Sequence, residues 1–319
     1  MKYLVLFFFF LSSINATPVD IIDLYRTQGI KAVEKEIANQ LKTKSYWDQH
    51  LQTKEVDIGY YESIEHVVIT EKHEKNMKLY DTKTKLESFH LNVFIGKVDG
   101  DKKVEGDLKT PIGAYELKRR ITNVDPFYGP MAITTNYPNA YDKSQGKTGH
   151  GIWIHGLPLN QERDDFTEGC IAIDNEKIVS LDKIIDLKKS ILVVSENKLE
   201  TVSKDDISIV LSNVFAWRDT WKESDIDGYL GFYSDEFKRA NGQAIEEFST
   251  FKKKLFKRNE KKTIEFTNIN VVPYPNDMNK KLFKVIMDEV YKTRTYQFKG
   301  KKELYLEILD SKISILSED

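Results

Sequence analysis

The sequence predicts a multidomain α+β protein: a helical arm over residues 17–56, a mostly-β domain over 57–198 and an α+β domain over 199–319. Three observations carry this. The chain has 319 residues, room for about two cores at roughly 150 residues per domain. Apolar residues recur at helical steps up to about residue 50, then give way to short apolar runs bounded by turn residues from His66. From Ser203 helical spacing returns before the pattern alternates again. Composition excludes some classes. Charged residues are 31% and hydrophobic ones 40%, a globular balance. A net charge of −2 lacks the basic excess of a nucleic-acid binder. One cysteine leaves no intrachain disulfide and no tetracysteine zinc site.

The first element is a targeting segment over 1–16. Met1 and Lys2 give a positive start, Tyr3 to Leu11 an apolar run, and Ser12 to Ala16 a small-residue stretch. This layout predicts a secretory signal peptide cleaved after Ala16. The run is too short for a spanning helix, which needs about 20 residues. The expected compartment is therefore outside the inner membrane, with no stable span after cleavage. In an oxidising compartment a lone cysteine is either a buried inert thiol or a reactive one.

In the arm, Val19, Ile22, Leu24 and Tyr25, then Ile30, Val33, Ile37 and Leu41, follow helical spacing, with Gly29 between two helices. Two short helices make no independent core, so the arm must pack on the next domain or on a second subunit. Strands are expected at 67–69, 77–80, 89–95, 114–117, 152–155, 170–173 and 191–194, with a short helix near 176–187. In the last domain Ser203 is a helix N-cap followed by Asp205 and Asp206. Trp217 and Trp221 share a face of that helix, and core packing is their default role. Helices at 226–232 and 245–256 precede strands near 264–271, 283–290 and 304–308. The lysines at 252–254 and 261–262 read as a solvated face.

The chemistry-bearing constellation is Thr167-Glu168-Gly169-Cys170, with His155-Gly156 fifteen residues upstream. A free thiol titrates near about 8.5 and needs a base to act as a nucleophile at neutral pH. Histidine is the usual partner. Trp153 and His155 share one strand face; Cys170 and Ala172 share a face of the next strand. If those strands are neighbours, His155 and Cys170 meet at one edge. The Gly169 and Cys170 amides are then candidates for an oxyanion hole. The plain alternatives are a buried inert cysteine and a structural histidine. A metal set of His150, His155, Cys170 and Asp164 or Asp165 matches no compact zinc spacing, so no metal and no cofactor are expected.

Residues 57–195 resemble the L,D-transpeptidase catalytic domain of YkuD type. The resemblance rests on His155-Gly156, a loop, then Thr167-Glu168-Gly169-Cys170-Ile171, and on the upstream Thr110-Pro111-Ile112-Gly113-Ala114-Tyr115 turn. It implies a domain acting on peptidoglycan stem peptides, with Cys170 as nucleophile, His155 as base and the Gly156 carbonyl orienting the histidine. It also implies a thioester at Cys170 and release of D-Ala from position four. Glu168 and Ala172 stand where the family often has basic or polar residues, which weakens the expectation of ordinary cross-linking. Trp153, Tyr137 and Arg163 are candidate groove residues. Residues 203–319 resemble an NTF2-like domain, through Trp217-Arg218-Asp219-Thr220-Trp221 and the Asp225-to-Ser234 stretch. That domain order looks like the cell-shape L,D-carboxypeptidases that trim tetrapeptides to tripeptides in a Gram-negative-type periplasm, some of them dimers through the arm.

Overall fold

The computed structural model describes residues 20–162 and 164–319. The signal-peptide and Arg163 expectations lie outside the described residues.

Residues 20–40 form one unit. Helix α1 (Ile21–Gln28) starts at Asp20, whose carboxylate accepts from the Ile22 and Asp23 amides, and stops at Gly29, whose φ of +79° suits glycine. Helix α2 (Ile30–Leu41) follows. No side chain of α1 is buried.

Residues 41–319 form the second unit. Helix α3 (Lys44–Leu51) and strand β1 (Tyr60–Tyr61) come first. Both serve the C-terminal domain. Trp47 stacks on Phe215 with ring centroids 5.7 Å apart, and β1 pairs with a strand near the chain's end. The stretch 41–61 is thus built into a core its own sequence does not announce, because its partners, Phe215 for Trp47 and Val271 for Tyr60, lie far along the chain.

The catalytic-type sheet runs β2 (His66–Glu71), β3 (Asn76–Asp81), β4 (Glu87–Asn92), β5 (Gly113–Ile121), β6 (Ala132–Thr135), β7 (Trp153–His155), β8 (Ile171–Ala172) and β9 (Ser190–Ser195). Its spatial order is β4-β3-β2-β9-β5-β6-β7-β8, with β2/β9 and β7/β8 parallel and the other pairs antiparallel. Helix α4 (Ala140–Ser144) lies between β6 and β7, and α5 (Asn175–Ile184) follows β8. β6 is absent from the sequence reading. It is four residues long, and only Ala132-Ile133-Thr134-Thr135 marks it.

The C-terminal domain packs α6 (Lys204–Glu223), α7 (Ile226–Leu230) and α8 (Ile245–Phe256) against β10 (Thr263–Pro273), β11 (Leu282–Lys292), β12 (Gln297–Leu309) and β13 (Lys312–Glu318). These four strands and β1 form one antiparallel sheet in the order β1-β10-β11-β12-β13. Ser203 and Asp206 make a reciprocal capping box at the start of α6. Trp217 is fully buried against Tyr229 and Phe266. β13, like β1 and β6, is absent from the sequence reading, its apolar content reduced to Ile313, Ile315 and Leu316.

A third apolar cluster joins the two sheets. Val67, Ile69 and Val193 pack there with Val272, Leu282 and Leu316, and Tyr141 of α4 stacks on Tyr305 at 5.5 Å. Each aliphatic side chain buried in it contributes about 2 kcal/mol. The domains therefore share a core instead of touching through a loose, polar interface.

Candidate active site

Strands β7 and β8 pair with Ile154 level with Ile171 and His155 level with Ala172. Cys170, immediately before β8, therefore enters at the Trp153 end of β7. Cys170 and His155 line one groove of about 820 Å³, with Tyr128, Gly151, Thr167 and Glu168.

The Cys170 loop is fixed by its own motif. Thr167 is buried, and its backbone joins the sheet margin through Thr167 N–H to Ile95 O at 2.7 Å. Its hydroxyl donates to Cys170 O at 2.6 Å and accepts from Gly169 N–H at 3.0 Å. Gly169 has φ +137°, and a Cβ there would sit 2.8 Å from Lys109 O. The second landmark supports this floor: the Thr110 hydroxyl accepts from Gly96 N–H at 2.8 Å, beside Lys109. The Cys170 thiol is half-buried and donates to Gly151 O at 3.3 Å.

His155 is 1% exposed. Its Nδ1 lies 2.6 Å from Gly156 O. A carbonyl oxygen only accepts, so Nδ1 carries a proton, and Nε2 is the nitrogen available to the acid–base step. Tyr128 meets the imidazole edge-on at 5.0 Å and Trp153 at 5.3 Å, so both β7 side chains share the face that this tyrosine covers. Burial pushes the Tyr128 phenol above its ordinary pKa, with negative charge at Cys170 adding to the effect. A thiol and an imidazole whose Nδ1 is held by a carbonyl, in one groove, can carry out nucleophilic acyl transfer.

Glu168 is exposed on the groove rim. Trp153, expected in the groove, is half-buried behind Tyr128 and is not among the residues that line it. Three further expectations need correction. Tyr137 is a core residue, packed edge-on against Tyr115 with its hydroxyl donating to Thr148 O at 3.1 Å. It steadies the far side of the 148–151 segment and does not line the groove. Ala172 is fully buried, exchanging backbone hydrogen bonds with Phe94, so no side chain there reaches the groove. The Gly169 amide is taken up by Thr167 and holds the loop turn, so the two-amide oxyanion hole loses that member. Among the described residues no cluster of three or more His, Cys, Asp or Glu side chains assembles for a metal, and His150 sits instead 3.7 Å from Glu105.

Sequence reasoning missed Tyr128, Gly129, Gly151 and Asn175. Asn175 Oδ1 accepts from Leu157 N–H at 2.8 Å, and Gly156 N–H donates to Tyr128 O at 3.0 Å. Together they fix the segment whose carbonyl holds His155. The turn signal Asp125-Pro126-Phe127-Tyr128-Gly129 was readable, but nothing in it names a distant histidine.

A second cavity, of about 470 Å³, lies in the C-terminal domain and includes Trp221, Lys252 and Tyr291. The Lys252 ammonium sits 4.9–5.1 Å from the Trp221, Tyr229 and Phe248 ring centres. Burial brings its pKa down to about 8 from 10.5, against the pull of Glu318. The folded state thus releases this proton first, and stability gains a contribution as pH rises from about 8 to 10.5. Because the buried Glu318 carboxylate, 3.9 Å away, keeps Lys302 at 3.1 Å, Lys252→Met should stabilise the protein at pH 7, by about 1–3 kcal/mol in calorimetry. A lowered melting temperature would show that the ammonium is net stabilising.

A β-rich domain that brings a cysteine and a buried, carbonyl-held histidine into a groove, fused to a helix-covered antiparallel sheet, defines a two-module class. Residues 65–194 match the L,D-transpeptidase catalytic domain, and residues 209–319 match the Cds6 C-terminal NTF2-like domain. The helical cell shape determining protein Pgp2 from Campylobacter jejuni is 40% identical over 87% of this chain and 99% of its own crystal structure, with a TM-score of 0.82. Bd1075 of Bdellovibrio bacteriovorus is 26% identical over 83% of this chain and 95% of that one, with a TM-score of 0.65. The putative L,D-transpeptidase YafK of Escherichia coli K12 is 34% identical over 93 residues, 29% of this chain and only about a third, 34%, of its own length. The chain belongs to the L,D-transpeptidase family, in the form that carries a C-terminal NTF2-like domain.

Proposed function

We propose that this protein is an exported peptidoglycan L,D-carboxypeptidase that trims stem tetrapeptides to tripeptides and shapes the cell. The single observation that carries the reading is the shared groove of Cys170 and His155, with Nδ1–H fixed on Gly156 O. Its place in a cell-shape role is supported by the likeness to Pgp2 along nearly the whole of that chain.

The chemistry follows from the atoms. His155 Nε2 takes the Cys170 proton, and the thiolate attacks the carbonyl joining the L-centre of the third residue to D-Ala. The amide C–N bond breaks as the imidazolium protonates the leaving amine, giving free D-Ala and a Cys170 thioester. Water then attacks, with Nε2 accepting its proton, and the tripeptide carboxylate leaves with the thiol restored. Glu105, Glu162, Asp164 and Glu168 line the groove and favour an ammonium-bearing diamino acid over an acidic peptide.

The test is digestion of purified tetrapeptide muropeptides by the full mature chain, read by mass spectrometry. Tripeptide monomers and free D-Ala are expected. Linked dimers would reassign the protein as a transpeptidase, and no turnover would overturn both readings. Asn175→Ala should lower kcat about 10- to 100-fold with KM nearly unchanged, since it releases the segment that orients His155. Export predicts an N-terminus at Thr17 in protein taken from the envelope; sequencing that finds Met1 would refute it. No helix among the described residues is long and apolar enough to cross a membrane. The arm exposes Ile22, Tyr25 and Ile30, which supports self-association through it. Light scattering should give a dimer mass that Ile22→Asp reduces to a monomer; a wild-type monomer would remove this role.

A further inference from the structure

The Cys170 thiol rests on Gly151 O, and Gly151 belongs to a segment that its own sequence leaves loose. Gly146, Gly149 and Gly151 all have positive φ, at +74°, +93° and +70°. Something outside the segment must hold it. Beside Tyr137, the charged anchor is Lys147, whose side chain is only 8% exposed and whose ammonium lies 2.8 Å from Asp142 Oδ1 and 2.7 Å from Asp101 Oδ2. Both carboxylates are buried.

These carboxylates sit at the seam with the C-terminal domain. Tyr274, on the far side of the seam, accepts from Asn139 Nδ2 at 3.0 Å and places its hydroxyl 3.4 Å from Asp142 Oδ1. Asp101 also accepts from Ile112 N–H at 2.9 Å and pairs with Lys103, which reaches Asp277 of the C-terminal domain at 2.8 Å. Lys103 O in turn accepts from Thr148 N–H at 3.0 Å. A continuous path therefore runs from Tyr274 and Asp277 through two buried carboxylates and Lys147 to the 148–151 segment and the thiol.

We propose that Lys147, held by Asp142 and Asp101, is a positioning residue for Cys170, and that the NTF2-like domain completes the active site through Tyr274 and Asp277. The domain is then part of the catalytic machinery, beyond any ligand its own cavity takes. The inference rests on Cys170 being the nucleophile of the proposed reaction. Lys147 and its two carboxylates are nearly buried, so their pairing is fixed by shape as well as charge, and a change at Tyr274 is felt at the thiol; the Lys103–Asp277 link is half-exposed and adds less.

The test uses the full chain, where the single cysteine makes iodoacetamide report on Cys170 alone. Tyr274→Phe with Asp277→Asn keeps the packing and cuts the polar link. Expected are a folded protein whose melting temperature falls by a few degrees at most, alkylation at least threefold faster as the thiol leaves Gly151 O, and kcat at least threefold lower with KM held, all read well below the melting transition. Lys147→Met should lower kcat tenfold or more, and Lys147→Arg should restore most of it. If Lys147→Met does not fold, the Tyr274/Asp277 variant decides. Alkylation and kcat both within twofold of wild type in that variant would overturn the proposal, as would a loss carried by KM alone. If wild type turns over no muropeptide, the carboxypeptidase reading fails, and the alkylation arm alone supports or overturns the coupling.

Discussion

Cys170→Ala is expected to abolish D-Ala release, lowering kcat by about 10⁴-fold or more. The chain contains no second cysteine, so no neighbouring thiol can substitute. An alanine keeps the backbone that Thr167 holds through Cys170 O, and it loses the S–H contact to Gly151 O. The fold should therefore change in stability by no more than about 1 kcal/mol. Loss of turnover with an unaltered melting curve assigns the defect to chemistry. Cys170→Ser should fail almost as completely. Its hydroxyl fits the same position, but its far higher pKa leaves His155 with a much harder proton to remove. Mass spectrometry of tetrapeptide digests checks both variants. Residual D-Ala release above about one part in a hundred of wild type would mean that a group other than Cys170 attacks the bond.

Much of this site was readable because its chemistry is local in sequence. Thr167, Gly169 and Cys170 lie within four residues, and the threonine hydroxyl satisfies groups two and three positions on. His155 and Gly156 are adjacent, so the orienting carbonyl is fixed by a single bond vector. Ser203 and Asp206 are equally local, and the α6 start was legible for the same reason. What escaped the sequence is long-range. Asn175 stands at the start of a helix and reads as a surface residue; its partner, Leu157 N–H, is eighteen positions away. Strand β1 pairs with β10 more than two hundred residues on, which no periodicity over two residues can announce. Tyr137 misled in the other direction. An aromatic between two landmarks suggests a groove wall, yet its contacts with Tyr115 and Thr148 place it in the core beneath. Residues chosen by position between motifs are the weakest inferences, because the strand alternation that decides inside from outside was not traced through β6.

Gly156→Ala tests the orienting carbonyl, and its effect should come second only to loss of the nucleophile. The constraint is space and not dihedral angle. A Cβ at 156 falls on Asn175 Oδ1, within 2.7 Å of Pro130 Cδ and 3.2 Å of Gly129 Cα. None of the three can yield freely. Asn175 Oδ1 already accepts from Leu157 N–H, and Gly129 sits at φ +74° with its own side blocked by Asn175 and Gly156. The strain is relieved only by shifting the 156 backbone, and its carbonyl moves with it. His155 Nδ1–H then loses the acceptor that fixes both tautomer and ring plane, so Nε2 is no longer held in one orientation for proton transfer. The expected result is kcat lower by about 10²- to 10³-fold with a smaller change in KM. Overpacking should also cost about 1–3 kcal/mol of stability. Adding Asn175→Gly removes the nearest obstacle, so the double variant should recover part of the lost kcat although Asn175→Ala alone is harmful. That sign reversal is the measurable coupling between the two positions. Turnover within twofold of wild type in Gly156→Ala would mean that the histidine is oriented by something other than this carbonyl.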